Sequence, residues 1–244
     1  MLIYLIKKFT YIKQKVIFES HQYSKIRSTL VNCADILLVI NKYQLEKYKH
    51  KNAFVLHDAV WEKEISYSPK QIVNKSIFYC GSCGPDKGIN RLITLAKLLP
   101  NYQFMVATLE NYKNNNVKKE WRMNNINWLG KLNREELFRK INSAEFCILP
   151  NDVESNSNKY SSPMKLFEYM SKGKALILSC IPTVIELLKK DEYIELPAII
   201  SGSNFKNLIQ QSNSTILGKK SLNSIKNFTW ENRAKTFIKL IERL

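Results

Sequence analysis

Short apolar runs alternate along most of this chain with longer stretches whose apolar residues recur at every third or fourth position. The run opening at Ser76, QFMVAT at 103–108, NINWLG at 125–130, EFCILPN at 145–151 and KALILSCIP at 174–182 are strand-sized, with turn-forming residues at their ends, and predict β-strands. Between them Ile89, Leu92, Ile93, Ala96 and Leu99 stand at helical spacing, and residues 133–144 predict a helix behind Asn133 as its cap. A further helix is framed by Ser162 as cap, Pro163 in its first turn and Gly173 just past its end, and another is expected over residues 183–190. Alternation of this kind predicts an α/β fold, a doubly wound parallel sheet over residues 76–200.

Three more strand-sized runs come first: KVIFESHQ at 15–22, CADILLVIN at 33–41 and NAFVLHDAVW at 52–61. Little helical sequence is available to cover them, which would leave apolar edges exposed in a soluble monomer. At the other end, residues 228–244 predict a helix capped by Thr229, with Trp230, Ala234, Phe237, Ile238 and Ile241 on one side. The expected division is a small N-terminal part at 1–66, an α/β domain at 67–222, and a closing helix at 223–244 that packs back toward the N-terminal part.

Residues 161–173, SSPMKLFEYMSKG, carry the most distinctive chemistry. Lys165 falls in the first turn of its helix, where the dipole disfavours a cation unless an anion shares that terminus. Glu168 follows three residues later on nearly the same face. A cation, free backbone N–H groups and a carboxylate one turn deeper suit a nucleoside diphosphate with its ribose. The alternative is a surface ladder of Lys165, Glu168 and Lys172 over a core of Leu166, Phe167 and Met170. Upstream, Gly81 sits between a strand and a helix N-terminus, an arrangement by which parallel sheets hold phosphates, although such a turn also serves structure alone. The polar run 151–162 follows the carboxyl end of a strand and should border the site.

SSPMKLFEYMSKGKALILSCIPTVIELL and SIFYCGSCGPDKGINRLITLAKLL together resemble the donor-binding segments of GT-B glycosyltransferases of the retaining group 1, or family 4, type. The resemblance covers nearly all of this chain but only the later part of such an enzyme. It implies one complete Rossmann-like domain at 67–222 and a partial, acceptor-side Rossmann-like domain at 1–66, either from a truncated or split gene product or with a partner chain supplying the missing part; truncation is the expectation. It further implies transfer of a sugar from a nucleoside-diphosphate sugar to a glycan or lipid-linked acceptor in cell-surface polysaccharide or glycolipid biosynthesis, with no metal or other cofactor. The donor-binding residues would be Gly81, Ser82, Lys87, Tyr160, Ser162, Lys165, Leu166 and Glu168. Glu168 would hold the ribose hydroxyls, Lys87 and Lys165 the diphosphate, and Gly81 would let the backbone approach the phosphates. Ser82 stands where many members have an arginine, so Lys165 is expected to supply the missing cation. Tyr160 stands where most have an acidic residue, so its phenol is expected to hydrogen-bond or stack on the sugar. His21 matches a histidine beside the transferred sugar and is the expected catalytic residue, as hydrogen-bond partner or proton shuttle. A satisfied loop histidine is the alternative, and Asp58 reads as a turn residue.

Composition narrows the partners. Five cysteines without a secretory signal point to a reducing compartment. Cys80 and Cys83 form a CxxC, but a redox reading is disfavoured and no second pair completes a zinc site. The net charge of +17 asks for an anionic partner. Its lysines are dispersed rather than clustered, so nucleic-acid binding is the lesser alternative and no nucleic acid is expected. The apolar and lysine-containing segment LIYLIKKFTYIKQK at 2–15 is too short and too charged to span a bilayer and suits an anionic membrane surface. The expected location is cytoplasmic, at the inner face of the cell membrane. The rival from another class is a non-catalytic nucleotide-sugar-binding fragment or subunit.

Overall fold

The computed structural model describes residues 15–21, 23, 31–68, 72–110, 117–200 and 202–243. Strands β1 (Ile17–Ser20), β2 (Ile36–Val39) and β3 (Ala53–Val55) form a three-stranded parallel sheet in sequential order. Strands β4 (Val73–Cys80), β5 (Gln103–Ala107), β6 (Ile126–Gly130), β7 (Ala144–Leu149), β8 (Ala175–Leu178) and β9 (Ile194–Glu195) form a six-stranded parallel sheet in the order β6-β5-β4-β7-β8-β9. That order reverses at β4, so the crevice at the carboxyl ends of β4 and β7 is where an open α/β sheet binds its ligand.

The helices are α1 (Lys42–Lys47), α2 (Ile89–Leu98), α3 (Arg134–Ser143), the single turn α4 (Asn156–Lys159), α5 (Met164–Ser171), α6 (Pro182–Leu187), α7 (Gly202–Gln211), α8 (Ser214–Ile225) and α9 (Trp230–Ile241). Leu92, Leu95 and Ala96 of α2 and Phe205 and Ile209 of α7 cover one face of the large sheet. Leu137 and Ile141 of α3, Leu166, Phe167 and Met170 of α5 and Val184 of α6 cover the other. Each face therefore buries the apolar stripe that its helices present, the arrangement expected of parallel strands that are apolar on both sides. The small sheet is covered as well. Val31, Tyr48 and Leu45 pack with Leu37 and Val39 on one side, while Phe237 and Leu240 of α9 pack with Ile36, Leu38 and Leu56 on the other.

The strands predicted from the apolar runs all form; β4 starts three residues and β7 one residue before the run, and the others are trimmed by a residue or more. Gln22, the last residue of the first predicted strand, lies outside the described residues, as does nearly all of the 2–15 segment. Asn133 caps α3 in a reciprocal box with Glu136, and the Thr229 hydroxyl accepts from Asn232 N at the start of α9. Gly173 has φ +60° just past the end of α5, the left-handed position expected of it.

Two expectations and one alternative are corrected. Ser162 does not cap α5. Pro163 occupies that position with no side-chain cap, because the residue before a proline is held out of helical conformation and the chain turns one step later. The covered face of α9 is only partly the one expected: Phe237 packs inward, but Ala234, Ile238 and Ile241 are exposed. Arg233, Phe237 and Leu240 face inward, because the small sheet and the carbonyls after β3 lie on that side. Lys172 does not extend a ladder with Glu168, and its ammonium reaches Glu64 O and, at 3.0 Å, Ser66 Oγ on the crossover between the sheets.

Candidate functional site

The two sheets are pinned to one another by buried polar contacts. Asn41 is fully buried; its amide donates to Lys159 O at 3.3 Å, Ser161 O at 3.4 Å and Thr183 Oγ1 at 3.3 Å, while its oxygen accepts from Gln44 N and caps α1. Glu186 of α6 accepts from Lys42 N at 2.8 and 2.9 Å and lies 3.6 Å from His57 Nε2. His57 donates from Nδ1 to Ile40 O at 3.0 Å. Burial pushes the His57 imidazole below its ordinary range and the Glu186 carboxyl above its own. Arg233 completes the join, with Nε on His57 O at 2.9 Å and Nη2 on Glu19 at 2.5 Å.

Between the two units lies a cleft of about 700 Å³, into which His21, Asp58, Lys87, Tyr160, Ser162 and Met164 project, among others. Lys87 is brought there by the turn after β4. The short 3-10 turn Pro85–Lys87 ends at Gly88, whose φ of +73° starts α2 and where a Cβ would overlap the Pro150 carbonyl oxygen. The loop is fastened to the strand beside it. Asn158, fully buried, donates to Asp86 O at 2.5 Å and Asp152 O at 2.8 Å and accepts from Asn151 Nδ2 at 2.9 Å. Lys87 Nζ stands 3.2 Å from Asp86 Oδ2 and 3.5 Å from Asn158 Oδ1. Arg91 of α2 braces the floor below, donating to Pro150 O, Asn151 O, Ser179 Oγ and Pro197 O at 2.7–3.1 Å.

Lys165 and Glu168 form the second part of the site. Lys165 Nζ is 2.6 Å from Glu168 Oε2, and Arg134 Nη1 of α3 is 3.6 Å from Glu168 Oε1. Arg134 also pairs with Glu64, and that contact holds its guanidinium firmly cationic. Glu168 is buried at 7% exposure yet opens into a second cavity that shares Met164 with the cleft. The Tyr169 hydroxyl accepts from Cys80 N at 2.8 Å, fixing α5 against the end of β4.

The remaining predicted residues fall as follows. His21 is largely exposed at the rim, with Nε2 3.1 Å from Glu19. Gly81 bonds back to Ala107 O, and a Cβ there would stand 2.6 Å from the Tyr79 hydroxyl, which itself donates to Ser82 O at 2.6 Å. Leu166 is wholly buried in the core, and its N–H bonds to Pro163 O at 2.8 Å. Ser162 Oγ is buried without a hydrogen-bond partner among the described residues. Tyr160 is held between aromatic rings of the other unit, with centroids 5.3 Å from Tyr23 in a stacked pair and 5.2 Å from Tyr43. Cys80 and Cys83 are free thiols whose burial pushes both up, opposite to the activated thiolate of a redox CxxC. Arg134 and Tyr23 carried no signal in the sequence, and Asp58, expected to be a turn residue, lines the cleft. Asp58 resembled any turn aspartate, Arg134 any surface cation in a first helical turn, and nothing local marked Tyr23.

Among the described residues no helix is long and apolar enough to cross a membrane. No family model matches the chain, and no curated protein does. Solved structures do. A sucrose-phosphate synthase from Thermosynechococcus elongatus matches 98% of this chain over 70% of its own, at 13% identity and a TM-score of 0.77. The Anabaena protein Alr3699/HepE in complex with UDP and glucose matches 95% of this chain over 72% of its own, at 12% identity and a TM-score of 0.75. AviGT4, a glycosyltransferase involved in avilamycin A biosynthesis, matches 85% of this chain over 63% of its own, at 10% identity and a TM-score of 0.66. At such identities the likeness is one of fold, the GT-B architecture of two Rossmann-like units facing across a cleft.

Proposed function

We propose that this chain is a glycosyltransferase that takes a sugar from a nucleoside-diphosphate donor, or the donor-binding part of one. The observation that carries the reading is that Lys87 lines the cleft while Glu168, bonded to Lys165 at the start of α5, lines the adjoining cavity, the two sharing Met164. In sugar transfer the bond from the anomeric carbon to the diphosphate breaks and negative charge builds on the leaving phosphate. Two ammonium groups and the first N–H groups of α5 stabilise that charge where it develops, which is the main electrostatic requirement of the step. Glu168, already desolvated and oriented by Lys165 and Arg134, accepts from the ribose hydroxyls. His21 at the rim contacts the sugar or the incoming acceptor, and retention of anomeric configuration is the expected stereochemical course.

The cationic groups make metal unnecessary for neutralising the diphosphate, so turnover should survive a chelator. The acceptor is a glycan or lipid-linked glycan, met in the cytoplasm at the inner face of the membrane; the +17 net charge supports an anionic surface. The neighbours include a GtfA/B complex, which supports a partner chain. A non-catalytic donor-binding subunit is favoured by one observation, the engagement of Tyr160 by Tyr23, stacked on its ring, and Tyr43 of the other unit.

A thermal-shift panel of UDP, GDP, ADP and their sugar conjugates tests the reading, because a ligand of the folded state raises the melting temperature. One nucleotide class should give a shift. Glu168→Ala and Lys165→Ala should each weaken its binding roughly tenfold or more, the range of a lost charged hydrogen bond, with the unliganded melting temperature little changed. Unchanged affinity in both variants would sink the site assignment, and donor hydrolysis or transfer would separate an enzyme from a binding subunit.

A further inference from the structure

Lys87 and Lys165 stand on different elements, and two ammonium groups share one diphosphate only at a suitable separation. The polar stretch 159–162 runs between their supports. On one side of it Asn158 fastens the Lys87 turn through Asp86 O at 2.5 Å and lies 3.5 Å from Lys87 Nζ. On the other, Pro163 O accepts from Leu166 N as α5 begins, with Lys165 in its first turn. Tyr160, Ser161 and Ser162 of the stretch line the cleft themselves. Its placement therefore bears on where both cations stand, and a shift of about 1 Å is enough to impair such a site.

The stretch is held from the other unit. Ser161 N and Oγ both donate to Asn158 O, at 3.4 and 3.2 Å, whereas Ser161 O accepts from Thr183 Oγ1 of α6 at 2.6 Å and from Asn41 Nδ2 at 3.4 Å. Asn41 Nδ2 also donates to Lys159 O and Thr183 Oγ1, each at 3.3 Å. Asn41 and Thr183 are both fully buried, so water does not replace these bonds when one is lost. The cap of α1 uses only the Asn41 oxygen, which accepts from Gln44 N, and a serine or aspartate would serve it as well. The amide nitrogen is spent wholly across the join. Tyr23 and Tyr43 add ring contacts to Tyr160, but stacked rings slide more easily than a hydrogen bond lets its carbonyl move. We propose that Asn41, which lines neither cavity, is a positioning residue for the donor site, acting with Thr183 on the Ser161 carbonyl. The proposal rests on the nucleoside-diphosphate reading of the cleft and adds to it a dependence on a side chain that meets no part of the donor.

Calorimetric titration of UDP, GDP and ADP against the unsubstituted chain, Asn41→Ala, Thr183→Val, Thr183→Ser, Leu240→Ala and Glu168→Ala tests this, with each variant first shown by circular dichroism to be folded. Asn41→Ala and Thr183→Val should each weaken the preferred nucleoside diphosphate roughly three- to tenfold, the worth of one hydrogen bond expressed as affinity. Thr183→Ser keeps the hydroxyl and should stay within about twofold of the unsubstituted chain. If Asn41→Ala does not fold, the two Thr183 variants carry the same comparison. Leu240→Ala loosens the small sheet at a distance from the 159–162 stretch and should bind as the unsubstituted chain does. Because Asn41 and Thr183 act on one carbonyl, the double variant should lose less than the two single losses multiplied. Native affinity in both Asn41→Ala and Thr183→Val, beside weakened binding in Glu168→Ala, would overturn the positioning role and leave the donor reading standing. Equal weakening in Leu240→Ala would also overturn it, by showing that any loosening of the small sheet has the same effect. Equal weakening in Thr183→Ser and Thr183→Val would do so by assigning the effect to packing. No nucleoside diphosphate bound by the unsubstituted chain would overturn both readings.

Discussion

At the scale of single residues, the parts of the site that touch charge were legible and the parts that hold them in place were not. Lys165 and Glu168 announce themselves because their spacing and their helical position conflict with the dipole, and Lys87 because it follows a glycine turn. Asn158 gives no such signal, since one asparagine in a polar run looks like any other loop residue. Its burial and three hydrogen bonds to the Asp86, Asp152 and Asn151 positions appear only once the chain is folded. Asn158→Ala removes side-chain hydrogen bonds to the Asp86 and Asp152 carbonyls, each of which keeps a backbone N–H donor, and should lower stability by about 1–2 kcal/mol in urea denaturation. Because the same side chain fastens the Lys87 turn, nucleotide affinity should fall as well. Loss of stability with full nucleotide affinity would show that the turn holds its shape without Asn158.

At the scale of elements, the strands and capped helices were readable because each rests on a local rule: apolar runs for β4 to β8, a capping box for α3, a left-handed glycine after α5. Helices α7 and α8 were not anticipated. The reason is visible in α8, which meets the rest of the domain through small residues rather than an apolar stripe. Ser221 donates to Lys174 O at 2.8 Å, and a Cβ on Gly218 would overlap the Gly173 carbonyl oxygen. The facing of α9 failed for a related reason, since helical periodicity allowed two stripes and only the tertiary partner selects between them. The two outcomes can be separated by substitution. Leu240→Ala should cost about 2–3 kcal/mol, in the range for a buried leucine, whereas Ile238→Ala should change stability by less than about 0.5 kcal/mol. Asn133→Ala should cost about 1 kcal/mol by removing the cap of α3. Chemical denaturation of the three variants checks the ranking.

At the scale of the whole molecule, the join between the two units carries a pH signature. His57 in the folded protein takes up its proton below the ordinary value of 6.5, so between 6.5 and that lowered value the unfolded chain binds more protons. Stability should therefore fall as pH drops through this window. Glu186 acts in the opposite sense, because its raised folded value makes the folded protein bind more protons between that value and 4.5, and stability is regained there as pH falls. Urea midpoints measured from pH 8 to 5 should decline below about 6.5 in the native sequence, and His57→Gln should remove the decline; an identical profile in the variant would exclude His57 as its source. The join also has a consequence in time. Glu19 and Arg233 are 214 residues apart, and the Phe237 and Leu240 that cover β1 to β3 follow Arg233 in the chain. At a synthesis rate of roughly 5–20 residues per second, the ribosome releases the small sheet's strands about 10–40 s before the helix that shields them exists. During every round of translation this protein thus exposes an apolar surface to its surroundings, and its yield in a cell depends on what meets that surface first.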